Sequence, residues 1–527
     1  MAVSNSLLHD WHRDDKHGER QRPASAFNPL HNFHVSLGPE AEFAQQFADL
    51  YYLRLTKLQG VVKEMAEQEW SHVEVAGEKA IHAERVLDVR QGELSWTAGT
   101  IYVDLPLKPN VIDEVVRGEE IAAPPPQISY FSTDVQPRVM LEDPSGRLRL
   151  AGAMLKQHIL VTGVIVAVLG TENANGEFEV LDMLFPDLPP QPLRWARDDE
   201  EREAEDGMKV ERQTAQKKKV AFVSGLEISG TEADPAILNL LTEYLLGEAL
   251  DESDQDSAAG ICRLVIAGNS ISPDVVITRP DDDDDFVVED NDDDDDEDED
   301  IDTNMDAYGF NPLPSTQLDN FISELLPSIP VTIMAGETDL TNYGLPQRPI
   351  HTAIFPRARA YASFNPMRPD DEEPGWFETV TNPWDGDIEG WRMQGNSGLP
   401  LNDLLKYFDV RWPKGVSEVD GRLKLMESML KWRSAAPTAP DTIWTYPFQD
   451  HDPFVLTECP HVFFAGNQPR FDTCTIEGPS AQQVRLFTIP RFRQTGEIVL
   501  LDMETLDVEI VKFEIQDQIQ MTTTKTG

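Results

Sequence analysis

The sequence predicts an α+β chain of more than one domain, with a helix and a small β-barrel first and a larger α/β domain after it. Three observations carry this. The 527 residues exceed what one ordinary hydrophobic core organises. Up to about residue 188, apolar residues fall in short runs separated by hairpin-turn residues. From residue 220 onward they form short continuous runs that alternate with amphipathic helical stretches.

The first element is a helix within Glu40 to Glu69, where FAQQFADLYYLRLTKLQGVV places apolar residues at helical spacing. Short strands are expected at Gly99 to Leu105, Arg138 to Glu142, Arg147 to Ala151, Leu160 to Leu169 and Glu177 to Phe185. Pro144-Ser145-Gly146 and Asn175-Gly176 stand where tight turns are needed. Five such strands fit an OB-fold barrel. The stretch from Pro189 to Lys219 is Pro-rich, then acidic, then basic, and reads as an exposed linker. In the second domain, strands are expected at Val220 to Ser224, Arg263 to Ala267, Val331 to Ala335, His461 to Ala465, Arg485 to Ile489 and Glu497 to Leu501. Asp234-Pro235 opens one helix and Leu318 to Leu326 forms another. The expected division is a flexible tail over 1–39, helix and barrel over 40–188, linker over 189–219, and α/β domain over 220–513. The last is interrupted by an acidic insertion at 274–306 and followed by a tail over 514–527.

The net charge is −50, and sixteen of the twenty residues from Asp281 to Asp300 are acidic; without that tract −34 remains. Such a block cannot bury enough surface to fold. A protein that grips DNA through its phosphates needs a broad basic face, which this chain lacks. DNA is therefore expected only through a partner. An OB-fold that binds single strands needs stacking aromatics beside cations; Tyr102, Phe178 and Phe185 are isolated and read as core. No apolar run is long enough to span a bilayer, and no membrane partner is expected. Cys262, Cys459 and Cys474 are too scattered for a disulfide framework or a zinc module, and no cofactor is expected. Lys217, Lys218 and Lys219 read as a solvated entry to the next strand.

Several strands of the second domain end in a glycine turn, and ligands bind at that edge of α/β sheets. The spacing resembles calcineurin-like metallophosphoesterases, which place D-x-H, G-D-x-x-D, G-N-H-[DE] and G-H-x-H after successive strands to hold two metals. Here the first motif has Gly225 and Glu227. The second reads Gly268, Asn269, Ser270, Ile271, Ser272. The third reads Gly336, Glu337, Thr338, Asp339, and the fourth Gly466, Asn467, Gln468, Pro469. The turn glycines remain, but Gly225, Glu227, Asn269, Ser272, Glu337, Thr338, Asp339, Asn467 and Pro469 form no dinuclear ligand set. A neutral amide such as Asn269 cannot replace a bridging carboxylate. No catalytic residue and no metal site are expected.

A more specific resemblance follows from VSGL (Val223–Leu226), AGN (Ala267–Asn269), GETDLTNYGLP (Gly336–Pro346), PTAPDT (Pro437–Thr442), YPF (Tyr446–Phe448), DPF (Asp452–Phe454) and ECPHVFFAG (Glu458–Gly466). LVTG (Leu160–Gly163) and FPDL (Phe185–Leu188) lie in the barrel region. These segments, spread over about Phe43 to Phe513, resemble the B-subunit family of the replicative DNA polymerases alpha, delta and epsilon, with the delta branch nearest. The resemblance implies an inactive phosphoesterase-like scaffold in the nucleus. It would join the C-terminal cysteine-rich module of the polymerase delta catalytic subunit to a third accessory subunit, in replication and repair, with sharing by polymerase zeta also implied. Three alternatives stay open: a B subunit of another replicative polymerase, a single-strand-binding OB-fold protein, and an active metallophosphoesterase. Co-purification with a polymerase, salt-sensitive oligonucleotide binding, and metal-dependent phosphodiester hydrolysis separate them.

Overall fold

The computed structural model describes residues 22–35, 48–75, 77–108, 128–132, 135, 137–194, 217–231, 234–248, 252–273, 312–363, 375–408 and 418–513. The acidic insertion from 274, the C-terminal tail and most of the linker lie outside the described residues, as do residues 40–47 of the expected first helix.

That helix, α1, runs Ala48–Trp70. Arg54, Leu58, Val62, Ala66 and Trp70 recur every fourth residue and all five are buried, the stripe expected of a helix laid on a sheet. Trp70 donates its indole N–H to Asp182 Oδ2 at 2.9 Å. The sheet beneath is the barrel. A short strand β1 (Phe27–Pro29) and a small hairpin β2–β3 (Glu74–Val75, Glu78–Lys79) precede β4 (Ile81–His82). The barrel proper is β5 (Leu94–Asp104), β6 (Arg138–Asp143), β7 (Gly146–Ala151), β8 (Ile165–Glu172) and β9 (Glu177–Leu184). The order is β4-β5-β6-β7-β9-β8, and the β5–β8 pairing closes the ring. Alternate residues fill its interior: Ile101 and Val103, Leu141, Leu148 and Leu150, Val166 and Val168, Phe178 and Val180. Both expected turns exist because a side chain caps them. Asp143 Oδ1 accepts from Ser145 N and Gly146 N; Asn173 Oδ1 accepts from Asn175 N and Glu177 N.

The second domain is a sandwich of two six-stranded sheets. One has the order β13-β12-β11-β10-β19-β20, made of β10 (Lys219–Val223), β11 (Ile261–Ala267), β12 (Val331–Met334), β13 (Phe377–Val380), β19 (Glu497–Asp502) and β20 (Val508–Lys512). The other has the order β1-β14-β15-β16-β18-β17, with β14 (Trp384–Ile388), β15 (Trp391–Asn396), β16 (Val462–Gln468), β17 (Asp472–Glu477) and β18 (Gln483–Pro490). Phe222 meets Phe464 and Phe487 between the sheets at ring separations of 5.1 and 5.2 Å. On the outer face of the first sheet lie α2 (Asp234–Leu246) and α4 (Leu313–Leu325), and α3 (Glu252–Ala259) adjoins α2 just before β11. On the outer face of the second lie α5 (Leu399–Leu405) and α6 (Glu418–Lys431). Strands β10, β11 and β12 are parallel and buried on both faces, which is why each reads as an unbroken apolar run.

Two expected boundaries are corrected. Residues 22–35 are no free tail: β1 pairs antiparallel with β14, and Arg22 donates to the carbonyls of Leu245, Ala258 and Ile261 at 2.6–2.8 Å. The expected linker is docked at both ends. Gln191 bonds Pro460 O and Gln483 O, Arg194 lies over Trp391, and Lys219 begins β10. Lys218 and Lys219 pair with Glu389 and Glu509 rather than standing free in solvent. Tyr102 is not core either. It is half-buried beneath two cations, Lys108 Nζ at 4.5 Å and Arg147 at 4.7 Å from its ring.

Barrel and sandwich share one apolar core, which runs from the barrel interior to α5, α6 and the segment around Phe454. Arg54 sits at the seam. Its Nε donates to Asp452 Oδ2 at 2.7 Å, NH1 to Pro437 O at 2.8 Å and Gly163 O at 3.4 Å, and NH2 to Ala439 O at 2.9 Å. Both charged side chains are 1% exposed. Gly163 has φ 96°, and a Cβ there would stand 2.3 Å from Pro437 O and 2.7 Å from Arg54 NH1. The backbone therefore approaches as only glycine allows, and β8 starts at Ile165 instead of Leu160. Around the clamp, Arg433 donates to Pro186 O and Asp187 O, Tyr130 donates to Asp403 Oδ1, and Lys108 pairs with Asp441. Arg54→Ala leaves a buried carboxylate and several carbonyls without their partner. It should lower unfolding free energy by about 3–5 kcal/mol, read from the denaturant midpoint. A loss under about 1 kcal/mol would show the clamp to be dispensable.

Candidate functional site: the strand ends of the sandwich

The segments singled out by their glycines meet at one edge of the sandwich: the turns after β10, β11 and β12, and a bulge near the end of β16, where the ladder to β18 shifts register between Ala465 and Gln468. They pack against each other through those glycines. A Cβ on Gly466 would lie 2.4 Å from Ala267 O, one on Gly268 2.5 Å from Ser397 Cβ, one on Gly336 2.1 Å from Asn269 Oδ1, and one on Gly225 2.8 Å from Asn467 Oδ1. Gly225, Glu227, Asn269 and Asn467 all have positive φ, at 64°, 46°, 54° and 54°. At Gly225, Glu227 and Asn269 the positive φ belongs to the turns after β10 and β11; at Asn467 it belongs to the bulge in β16.

Neutral groups close the space. Ser224 Oγ donates to Ala267 O at 2.6 Å and accepts from Asn467 N at 2.9 Å. Asn467 Nδ2 donates to Ser397 O. Asn269 Oδ1 accepts from Glu337 N at 2.9 Å, and Thr338 Oγ1 donates to Ile271 O at 2.6 Å. Glu227 N and Ser272 N donate to Asn269 O and Ile228 O. Asp339, the one buried acid of the predicted set, faces backbone: Oδ1 accepts from Ser270 N and Ile271 N, Oδ2 from Gly336 N, at 2.8–3.0 Å. Burial pushes its carboxyl up to about 6, against the pull of those N–H groups. The Glu337 side chain points to solvent and Pro469 is exposed. The structure thus brings Gly225, Glu227, Asn269, Ser272, Thr338, Asp339 and Asn467 together through mostly backbone bonds, and leaves the Glu337 side chain and Pro469 outside. Asn467 Oδ1 and Ser270 Oγ are buried with no protein partner. Among the described residues no group of three His, Cys, Asp or Glu side chains is placed to hold a metal ion.

A second ring of residues was not legible from the motifs. Asn382 Nδ2 bonds Gln347 Oε1 and Ser397 Oγ, both at 2.7 Å, and Gln347 Nε2 reaches Gly336 O. Asp403 accepts from the hydroxyls of Tyr130, Thr438 and Thr442. PTAPDT thus serves the barrel seam at both of its threonines. The only hint was Arg54, a cation on an apolar helical stripe.

Comparison with known proteins agrees with this division. Residues 220–473 match the family model for the B subunit of DNA polymerase alpha/epsilon, and residues 46–183 match the DNA polymerase delta subunit OB-fold domain. The chain is 32% identical over 494 residues to the DNA polymerase delta small subunit of Saccharomyces cerevisiae, covering 90% of each chain. It is 31% identical over 500 residues to that of Arabidopsis thaliana, covering 94% of this chain and 97% of the relative. It is 28% identical to the DNA polymerase delta subunit 2 of Drosophila melanogaster over 485 residues, 90% and 94% of the two chains. The architecture is that of a replicative polymerase B subunit, an OB-fold joined to a second, larger domain. More narrowly, the chain belongs to the DNA polymerase delta small-subunit family.

Removing the Asp339 carboxylate should open the edge. Asp339→Ala orphans three buried N–H groups and should cost about 2–4 kcal/mol; Asp339→Asn, which keeps one acceptor oxygen, should cost about half. Equal stability of all three proteins in urea would contradict the bonding described. At the start of β16, burial beside Arg392 pushes His461 down to about 4. Its Nδ1 accepts from Arg392 N, so the folded protein holds it neutral. The unfolded chain takes the proton near its ordinary value of about 6.5. His461 therefore adds stability above that value and loses it as pH falls from about 6.5 towards 4. In His461→Gln the urea midpoint should change less between pH 7 and pH 5 than in the wild type; an unchanged difference would refute the assignment.

Proposed function

We propose that the chain is a non-catalytic scaffold in a DNA polymerase delta complex, joining the C-terminal cysteine-rich module of the catalytic subunit to a third accessory subunit in the nucleus. Its second domain is read as a calcineurin-like phosphoesterase frame whose metal-ligand positions are substituted. The supporting observation is the edge itself: around Asp339, amides, hydroxyls and backbone groups bond one another, with Asn467 Oδ1 and Ser270 Oγ the buried exceptions. At the four motif segments the one buried carboxylate, Asp339, is taken up by backbone N–H groups, whereas activation of water calls for a metal-holding charge set. The relatives named above are polymerase subunits, and the acidic body of this chain suits a basic partner better than DNA. Repair and use by polymerase zeta belong to the same proposal.

A second reading has one observation in its favour. Tyr102 between Lys108 and Arg147 is the aromatic-and-cation pairing that single strands use. Both cations are engaged, Lys108 with Asp441 and Arg147 with Glu142, and the scaffold reading is preferred.

Affinity purification of the full chain in mild salt should recover a polymerase catalytic subunit as its largest partner. The purified chain should not hydrolyse a model phosphodiester in manganese. Absence of the catalytic subunit, or hydrolysis abolished by Asp339→Ala, would overturn the proposal. Salt-sensitive oligonucleotide binding by the chain alone would favour the second reading.

A further inference from the structure

The later part of GETDLTNYGLP and the residues between PTAPDT and YPF are not used up by the strand-end net or by the barrel clamp. The GETDLTNYGLP loop and the strand-like segment after PTAPDT lie side by side. Leu345 N donates to Trp444 O at 2.7 Å, and Tyr446 N to Leu345 O at 2.9 Å, a parallel bridge between Leu345 and Thr445. Inward, the pair is well anchored: Leu345 and Thr445 are buried. Outward, it presents three large side chains to solvent: Leu340 is 40%, Tyr343 66% and Trp444 56% exposed.

The loop is held in shape while those side chains stay free. Asn342 Oδ1 accepts from Arg348 N, Thr341 Oγ1 donates to Arg348 O, and Gln347 Nε2 bonds Asn342 O. Exposed aromatic side chains on a rigid turn lose little freedom on binding, and Trp and Tyr carry a disproportionate share of interface energy. Their place matters too. Trp444 lies three residues after Asp441, which pairs with Lys108 of the barrel, so the patch lies close to the seam. Two acids act on this patch: beyond partial burial, the charges of Glu337 and Asp403 push the Tyr343 hydroxyl up. Glu337 is itself exposed.

We infer that Leu340, Tyr343 and Trp444 form the docking surface for an apolar segment of the polymerase catalytic subunit that carries an arginine or lysine, the cation meeting Glu337 and the face of Trp444. This rests on the proposed scaffold function and names the surface that performs it. A cation seated over indole suits arginine in particular.

The test is reconstitution of the full chain with the full catalytic subunit, and separately with the third accessory subunit, affinities being measured at two salt concentrations. The Tyr343→Ala/Trp444→Ala protein should bind the catalytic subunit at least tenfold more weakly than wild type and the third subunit equally well. Trp444→Phe should stay within threefold, and Glu337→Gln should reduce the salt dependence. Thermal unfolding of each variant checks the fold. If the double variant is unstable, Tyr343→Ala alone, altering the most exposed of the three, should still weaken binding at least threefold. Wild-type binding with variants unchanged would overturn the docking surface and leave the scaffold reading standing. Loss of the third subunit instead, or of self-association by gel filtration, would assign the patch to another occupant and overturn it equally. Failure of the wild-type chain to bind the catalytic subunit would remove both.

Discussion

The arrangement of this molecule depends on one buried cation. Arg54 stands in the apolar stripe of α1, which lies against the barrel, yet every polar atom of its guanidinium bonds a group at the seam. Asp452 and the carbonyls of Pro437 and Ala439 belong to the sandwich; Gly163 belongs to the barrel. Burying an ion pair costs several kcal/mol unless hydrogen bonds offset it, and here each guanidinium nitrogen of Arg54 makes at least one. The attraction is geometric more than adhesive. A hydrophobic seam tolerates sliding, whereas a planar fork with several fixed acceptors accepts one orientation. The separation of barrel and sandwich in the sequence thus becomes a single body with one shared core.

That clamp explains why distant segments carry related signatures. LVTG supplies the glycine that lets backbone approach Arg54. PTAPDT supplies two carbonyls to the guanidinium, two hydroxyls to Asp403 and a carboxylate to Lys108. DPF supplies Asp452, and FPDL the carbonyls held by Arg433. VSGL, AGN, GETD and the end of ECPHVFFAG build the strand-end edge. None of these roles requires a metal. Glycines that look like relics of an active site are held by packing, since each turn touches another where a Cβ would collide. On the proposed reading, such a frame persists because it closes the end of a sandwich, whatever chemistry it has lost.

The parts legible in the sequence were those governed by local rules. Parallel strands buried on both faces read as apolar runs, and the hairpins at Asp143–Gly146 and Asn173–Glu177 carried their own capping side chains. Strands β14 and β15 escaped because they are polar: Asp385 and Asp387 are buried, their charges met by Asn32, Asn28 and Arg392. Two of those three partners lie in residues 22–35, more than 350 positions away. The same distance hid the docking of that segment, which looked like a tail because its ladder partner β14 did not look like a strand. At the candidate site the turn positions were visible from glycine spacing. The bonds replacing a metal set were not, because Ser397, Asn382 and Gln347 fall in no motif and converge only through the fold.

A rigid seam has a consequence for any partner. Surfaces on two loosely tethered domains must be ordered on binding, and that ordering entropy is subtracted from affinity. Surfaces on either side of the Arg54 clamp are already in register. The body charge of −34 outside the acidic tract acts differently. Its field steers encounter and rejects other polyanions, but at physiological ionic strength it is screened beyond about 8 Å. Charge of this sign and reach can select a basic partner without holding it. Retention must come from close-packed apolar contact on pre-shaped loops. In this chain, exposed aromatics on a loop pinned from within stand beside the barrel–sandwich seam, where selection and retention can act on the same partner.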